Sequence, residues 1–187
     1  DLIIKSGTVV DGTGKAPELG DIGIDGEEIA AVDDLKDTAA KMIINAYGKY
    51  VVPGFIDITN HSDTHLALFK YPLQESMVMQ GVTTIIGGNC GSSLAPLASR
   101  EAIHAIKKWA DPSEINTNWA TVGEFLASLE NMRLGINFGT MVGFGTLRRG
   151  IIGDAIRLLN TEERAALNHL LREGIEQVEG VGEPRST

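Results

Sequence analysis

One stretch of the chain, residues 51–65, constrains the fold more strongly than any other. An apolar run is interrupted by Pro53-Gly54, resumes at Phe55 and ends in a cluster of Asp, His, Thr and Asn side chains. Parallel sheets are built from such buried apolar strands, and their functional side chains follow the carboxyl ends of the strands. We therefore predict a buried strand over residues 51–58 that delivers polar side chains to one edge of a sheet.

The composition excludes several classes of partner. The 187 residues carry a net charge of −9, which argues against nucleic acid or an anionic membrane as the partner. Cys90 is the single cysteine, so an internal disulfide is excluded, and we expect a cytoplasmic protein because this cysteine usage suits a reducing compartment. No apolar run approaches the ~20 residues of a membrane helix. The first residues also lack the basic start of a signal peptide.

Residues 1–50 predict a small antiparallel β subdomain. Short apolar runs alternate there with turn pairs, and Asp11-Gly12 and Asp25-Gly26 are the strongest hairpin signals, because glycine accepts the positive φ of a tight turn. We interpret this domain as purely structural.

Residues 51–187 predict repeated βα units of a parallel sheet. After the strand over 51–58, a short helix over 72–80 leads to a β-branched strand over 82–86, and a third strand follows over 136–142. A complete barrel of eight βα units takes ~250 residues. About three units therefore predict an α/β protein that holds either the first part of a barrel or a smaller open sheet.

Three further helices are predicted from their capping signals. Ser99 and Thr161 are predicted N-caps. Thr121 begins a capping box that is completed by Glu124. The helix after Thr161 is predicted to bury one apolar stripe, formed by Leu167, Leu170, Leu171, Ile175 and Val178.

His61 and Cys90 each follow a predicted strand, and the two strands are expected to be parallel neighbours whose carboxyl ends share one edge. An imidazole and a thiolate are donors that zinc prefers, but zinc normally takes three or four protein ligands. The other ligands therefore lie outside this chain, or there is no site. In the second case Cys90 is a small buried apolar residue and His61 a surface group near Asp63. Trp109 and Trp119 flank a polar loop that would form either a substrate wall or helix-end packing.

Several segments together identify a resemblance. They are residues 2–14, 52–57, 80–84, 88–91, 93–96 and 142–148, and the most distinctive is Gly88-Asn89-Cys90-Gly91. These segments closely resemble the N-terminal portion of the D-aminoacylase (N-acyl-D-amino-acid deacylase) branch of the amidohydrolase superfamily. The resemblance implies a zinc-bearing (β/α)8 barrel, incomplete in this chain, with a small β-sandwich built from both chain ends. It also implies hydrolysis of the amide bond of a small-molecule N-acyl-D-amino acid.

The resemblance also assigns site residues. It implies that Cys90 and His61 are metal ligands, and that the remaining His ligands and a proton-transferring Asp follow beyond Thr187. Asp63 matches an acidic position beside the family's His pair, which implies a hydrogen-bonding role next to the ligands. Two positions depart from the family. Thr59 replaces the first His of the pair, so one zinc site is expected and not two, and Phe144 replaces a His of a Gly-His-Gly segment.

Two alternatives remain open on the sequence. The first is a hydrolase of cyclic amides, of the hydantoinase or dihydropyrimidinase kind; those enzymes usually bridge their metals with a modified lysine, and no lysine lies in or beside residues 82–90. The second is a non-catalytic remnant that is stable only when it self-associates or pairs with another chain, because an incomplete barrel exposes a strand edge and an apolar flank.

Overall fold

The computed structural model describes residues 1–179, which divide into two compact units. The first unit is Asp1–Gly54 and the second begins at Phe55. The predicted boundary lay after residue 50, and the first unit continues to Gly54 because residues 50 and 51 still pair within its sheet. Residues 180–187, the last part of the predicted second domain, lie outside the described residues, and Thr187 is among them.

The first unit is one mixed sheet. Its strands run in the order β3-β2-β1-β4, and β5 also pairs with β1. The antiparallel prediction is confirmed for β1–β2 and β2–β3 but is wrong for β4 and β5, which pair parallel with β1. The chain from 34 to 41 crosses back to the start of β1, and such a crossover is what parallel pairing requires. The strands are β1 Leu2–Val9, β2 Glu18–Asp25, β3 Glu28–Asp33, β4 Met42–Asn45 and β5 Tyr50–Val51.

The predicted single strand over 51–58 is two strands in two different sheets. Tyr50–Val51 ends the first sheet, and β6 (Phe55–Asp57) begins the second. Pro53 lacks an N–H group for a strand ladder, which explains the interruption. The prediction that this run is buried is also wrong, because Phe55 is 58% and Ile56 63% exposed. Both lie on β6, an edge strand that pairs on one side with β7 within the described residues.

The second sheet is parallel and sets the position of the site. Its order is β6-β7-β8, with β7 at Val82–Gly87 and β8 at Asn137–Thr140. The register aligns Asp57 with Ile85 and Ile85 with Phe138. All three carboxyl ends therefore lie at one edge, and the predicted second and third strands are confirmed.

All four predicted helices of the second unit have a counterpart in the structure, but some differ in length or type and further helices are present. The predicted helix over 72–80 is a single turn, α2 (Glu75–Val78). The helix predicted after Ser99 is a 3-10 helix, Arg100–Ile106, and the Ser99 cap is wrong because its side chain makes no capping hydrogen bond. Two helices were not predicted, α1 (Ala67–Lys70) and α4 (Phe144–Ile152). The remaining helices are α3 Val122–Glu130 and α5 Thr161–Glu179, with short 3-10 helices at Asn89–Gly91 and Pro112–Glu114.

The residue that caps the start of helix α5 lies one position earlier than predicted. Asn160 Oδ1 accepts from the Glu163 N–H at 2.8 Å, and Glu163 Oε2 accepts from the Asn160 N–H at 2.8 Å. This reciprocal pair makes Asn160 the capping residue in place of Thr161. Leu167 is buried as predicted, whereas Ile175 is 44% exposed, so that part of the predicted stripe is wrong. Among the described residues, no helix is both long and apolar enough to cross a bilayer.

Phe125 of α3 lies at the centre of the core of the second unit. Its side chain is fully buried, and its ring lies 5.1 Å from Trp119 and 6.0 Å from Phe138, centroid to centroid. The predicted capping box of α3 is confirmed, since the Thr121 side chain accepts from the Glu124 N–H and Glu124 accepts in return from the Thr121 N–H. The box fixes the start of the helix that presents Phe125 to the sheet.

The two threonines predicted as caps provide a matched stability test. We expect Thr121→Ala to lower the free energy of unfolding by about 1 kcal/mol, because the Glu124 N–H loses its acceptor. Thr121→Ser keeps a hydroxyl acceptor and should retain most of the stability that the cap provides. Thr161→Ala is the control and should change little, since Asn160 caps that helix. Urea unfolding followed by circular dichroism measures all three; an equal loss in both alanine variants would contradict this assignment of caps.

Candidate metal centre

The structure brings His61 and Cys90 together at the carboxyl edge of the second sheet. His61 lies in the loop after β6, and Cys90 lies in the 3-10 turn directly after β7. Cys90 Sγ is 3.6 Å from His61 Nε2. Cys90 is exposed and His61 is half-buried, so the alternative in which Cys90 is a buried apolar residue does not hold.

The distance between these two atoms fits two ligands of one zinc ion. With Zn–S of about 2.3 Å, Zn–N of about 2.0–2.1 Å and a tetrahedral angle, the two donor atoms are separated by about 3.6 Å. A thiol–imidazole hydrogen bond has a similar length. The 3.6 Å separation is therefore compatible both with a shared zinc ion and with a direct thiol–imidazole hydrogen bond.

The described residues do not complete a metal site. Within residues 1–179 no group of three or more His, Cys, Asp or Glu side chains is arranged to hold an ion. The His65 ring lies 6.1 Å from the His61 ring, centroid to centroid, and adds no third ligand. Thr59 is exposed, and its N–H donates to Asp57 Oδ1 at 3.1 Å. Phe144 begins α4 and is 58% exposed.

The proton-transferring Asp expected beyond Thr187 has no counterpart in the sequence, because Thr187 is the last of the 187 residues. Thr187 itself lies outside the described residues. That assignment therefore stays a prediction about a longer polypeptide.

Asp63 is a fully buried carboxylate beside the His61–Cys90 pair. Its Oδ2 accepts from the Gly88 N–H at 2.7 Å, and its Oδ1 has no hydrogen-bond partner within residues 1–179. Burial raises the pKa of Asp63 above its ordinary value of 3.8, against the opposing hydrogen bond from Gly88. A Cβ atom on Gly87 would lie 2.8 Å from the same carboxyl group, so glycine is required there.

The turn that carries Cys90 is held in an unfavourable conformation. Cys90 has φ +55°, in the left-handed region that a residue with a Cβ rarely adopts. Gly88 approaches the β8–α4 connection so closely that an added Cβ would lie 2.2 Å from the Met141 carbonyl oxygen. On the other side, Ser93 N–H donates to Thr146 Oγ1 and the Thr146 hydroxyl donates to the Ser93 carbonyl, both at 2.9 Å. Packing and hydrogen bonds therefore fix the Cys90 backbone.

Of the two tryptophans that flank the polar loop, one lies at the site. The Trp109 ring is 6.0 Å from His61 and 6.4 Å from His65, centroid to centroid. Trp119 is buried, and its Nε1–H donates to the Leu94 carbonyl at 2.8 Å, which is helix-end packing. Thr64, which the sequence analysis missed, places its hydroxyl oxygen 3.4 Å from His61 Nδ1.

The comparisons with known proteins identify the family. The model of the amidohydrolase family matches residues 42–186, and the chain belongs to this family. It is 34% identical over 175 residues to D-aminoacylase from Alcaligenes xylosoxydans xylosoxydans, and the aligned region covers 94% of this chain and 35% of that relative. The chain thus spans about a third of the length of the curated relatives that it matches.

Two solved structures are similar over almost the whole chain. One is a D-aminoacylase with a binuclear metal centre, activated by one metal and attenuated by the second (TM-score 0.81, 35% identity, 95% of this chain and 36% of that chain). The other is N-acyl-D-glutamate deacylase from Bordetella bronchiseptica with zinc and a phosphonate that mimics the tetrahedral intermediate (TM-score 0.80, 30% identity, 94% and 36%).

The raised pKa of Asp63 predicts a specific pH dependence of stability. The folded state keeps the Asp63 proton to higher pH than the unfolded state does. The contribution of Asp63 to the free energy of unfolding therefore falls as the pH rises from 3.8 through the raised folded-state pKa, and it is constant above that pKa. Asp63→Asn cannot titrate. We expect its free energy of unfolding, relative to the unsubstituted protein, to increase across this window in urea titrations at a series of pH values. A difference that does not change with pH would contradict a raised pKa.

Proposed function

We propose that this chain is the N-terminal part of a zinc-dependent amidohydrolase that cleaves the amide bond of N-acyl-D-amino acids. The observation that carries the proposal is the 3.6 Å separation of Cys90 Sγ and His61 Nε2 at the edge where parallel sheets hold their active sites. The similarity to D-aminoacylase over 94% of the chain supports this substrate class. The complete activity belongs to a longer polypeptide that supplies, beyond Thr187, the other ligands and the proton-transferring Asp.

The described residues would contribute two ligands and their orientation. A bound zinc ion supplies polarisation of the amide carbonyl and lowers the pKa of a coordinated water towards about 7. Cys90 would bind as the thiolate and His61 through Nε2. Nδ1–H of His61 would then point to the Thr64 hydroxyl, an arrangement that fixes the tautomer with its lone pair on Nε2.

The proposed fold of the second unit is the first part of a barrel. Three parallel strands occur in chain order with helices between them, which supports the first part of a (β/α)8 barrel from residue 55 onward. The exposed apolar side chains of β6, Phe55 and Ile56, mark the strand edge that the rest of the barrel would cover. If the remainder of the polypeptide is absent, we expect this edge to cause self-association.

We propose a single zinc ion at this site. The first His that the family has after strand one is replaced here by Thr59, whose side chain is exposed. Strand β6 offers one metal-binding side chain, Asp57, and Asp57 already accepts hydrogen bonds from Thr59 and Asn60. A second ion, present in the similar D-aminoacylase, would lose one of its ligands.

Zinc content tests the ligand assignment and the single site together. In the full-length protein we expect about one zinc per chain by elemental analysis, a large loss in Cys90→Ser and His61→Asn, and no change in the control His65→Asn. We expect Thr59→His to raise the capacity towards two. Unchanged zinc in Cys90→Ser would remove Cys90 as a ligand, and two zinc ions in the unsubstituted protein would contradict the single site.

Substrate turnover separates the two hydrolase proposals. We expect the full-length, zinc-loaded protein to hydrolyse N-acyl-D-amino acids and not hydantoins or dihydropyrimidines, since no lysine lies in or beside residues 82–90 to bridge two metals. Release of free amino acid or of ring-opened product, measured side by side, checks this. Faster turnover of the cyclic amides would favour the alternative, and no turnover of either by a zinc-loaded protein would favour the non-catalytic remnant.

A further inference from the structure

Two loops carry the proposed ligands, and hydrogen bonds join them on both sides of the His61–Cys90 pair. The His61 loop comprises residues 58–66, between β6 and α1, and the Cys90 turn comprises residues 88–91, directly after β7. Asn89 Nδ2 donates across to the Asn60 carbonyl at 3.1 Å. The side-chain and backbone roles are exchanged in the second bond, in which the side-chain oxygen Asp63 Oδ2 of the His61 loop accepts from the Gly88 N–H at 2.7 Å.

The two bonds have a reciprocal arrangement. Asn89 immediately precedes Cys90, and its partner Asn60 immediately precedes His61. Asp63 follows His61 by two residues, and its partner Gly88 precedes Cys90 by two. Each loop therefore provides one proposed ligand and one side chain that binds the backbone of the other loop.

We propose that Asp63 and Asn89 form a reciprocal clamp that sets the separation of Cys90 Sγ and His61 Nε2, which makes both of them positioning residues of the metal centre. The metal-binding part of this inference rests on the proposed function. The clamp deepens it by assigning Asn89 a role and by giving Asp63 a defined partner in the other loop.

Burial makes both bonds difficult to replace. Asp63 is fully buried and Asn89 is 8% exposed, so water has little access to the groups that either substitution would leave unpaired. Asn89 also donates to the Ile86 carbonyl at 2.7 Å, which anchors the clamp to the end of β7.

The backbone of Cys90 explains why a clamp is needed. Its φ of +55° is locally unfavourable, so the surrounding structure must hold it. Without the two bonds, the Cys90 turn keeps the packing of Gly88 and the Ser93–Thr146 bonds but loses both links to the His61 loop. We expect the Sγ atom then to move away from its position opposite His61. Side chains that hold metal ligands in place typically change metal affinity by about 10–100-fold when they are substituted.

Cobalt(II) binding to the full-length protein tests the clamp, because the thiolate-to-cobalt charge-transfer absorption reports whether Cys90 is bound. We expect Asn89→Ala and Asp63→Ala each to weaken cobalt affinity by about 10–100-fold and to reduce this absorption. Asp63→Asn keeps an acceptor for the Gly88 N–H and should remain near the unsubstituted protein. The double variant should lose little more than either single variant, because both bonds hold the same turn.

Trp119→Phe is the matched control, since it also removes one buried hydrogen-bond donor of the second unit but lies in neither loop. It should lower stability and leave cobalt binding unchanged. Folded Asn89→Ala and Asp63→Ala proteins with unchanged affinity and absorption would overturn the clamp. If either alanine variant does not fold, Asn89→Ser, whose side chain is too short to reach Asn60, takes its place and is judged by the same two results.

Cys90→Ser separates failure of the clamp from failure of the proposed function. If Cys90→Ser abolishes the charge-transfer absorption while the clamp variants bind normally, the clamp alone is wrong. If the unsubstituted protein shows no such absorption, Cys90 is not a ligand, and both the proposed metal centre and the clamp's role in it are wrong.

Discussion

Parallel pairing of β6 with β7 is the constraint on which the site depends. It aligns Asp57, the last residue of β6, with Ile85, two residues before the end of β7, so both following loops leave the same edge of the sheet. His61 and Cys90, 29 residues apart in sequence, then lie with their donor atoms 3.6 Å apart. A shift of one residue in this register would displace the loop by about 3.3 Å, which is almost the whole separation of the two donors.

Tight backbone approaches give this edge its rigidity. Gly87 and Gly88 have no room for a Cβ atom, because the Asp63 carboxyl group and the Met141 backbone occupy that space. The same closeness lets Asp63 reach the Gly88 N–H. The conformation of Cys90 is therefore determined by neighbours on three segments of the chain, and local sequence preference opposes it.

The sequence predicted the parts of the fold that rest on periodicity and capping. The strands around Val82–Gly87 and Asn137–Thr140 and the capping box of Thr121 follow directly from local pattern. It failed where pairing partners decide the outcome. Nothing local in Met42–Asn45 distinguishes a parallel from an antiparallel neighbour, and the exposure of Phe55 and Ile56 depends on what lies beside β6.

The candidate site shows the same division. The positions of His61 and Cys90 after adjacent strands were accessible to sequence reasoning. The contact of Asn89 with Asn60 depends on how two loops meet, and the contact of Thr64 with His61 depends on the conformation within the His61 loop. Asn89 had one local signal, its place within the glycine-flanked Gly88–Gly91 segment. No group of three or more His, Cys, Asp or Glu side chains is arranged to hold an ion within the described residues, and zinc takes three or four protein ligands. The chain spans about a third of the length of its relatives.

X-ray absorption at the zinc edge of the full-length, zinc-loaded protein tests the central claim most directly, because it counts sulfur ligands. We predict one sulfur at about 2.3 Å, with the remaining ligands nitrogen or oxygen at about 2.0–2.2 Å. A first coordination shell of nitrogen and oxygen alone would contradict the assignment of Cys90 as a ligand.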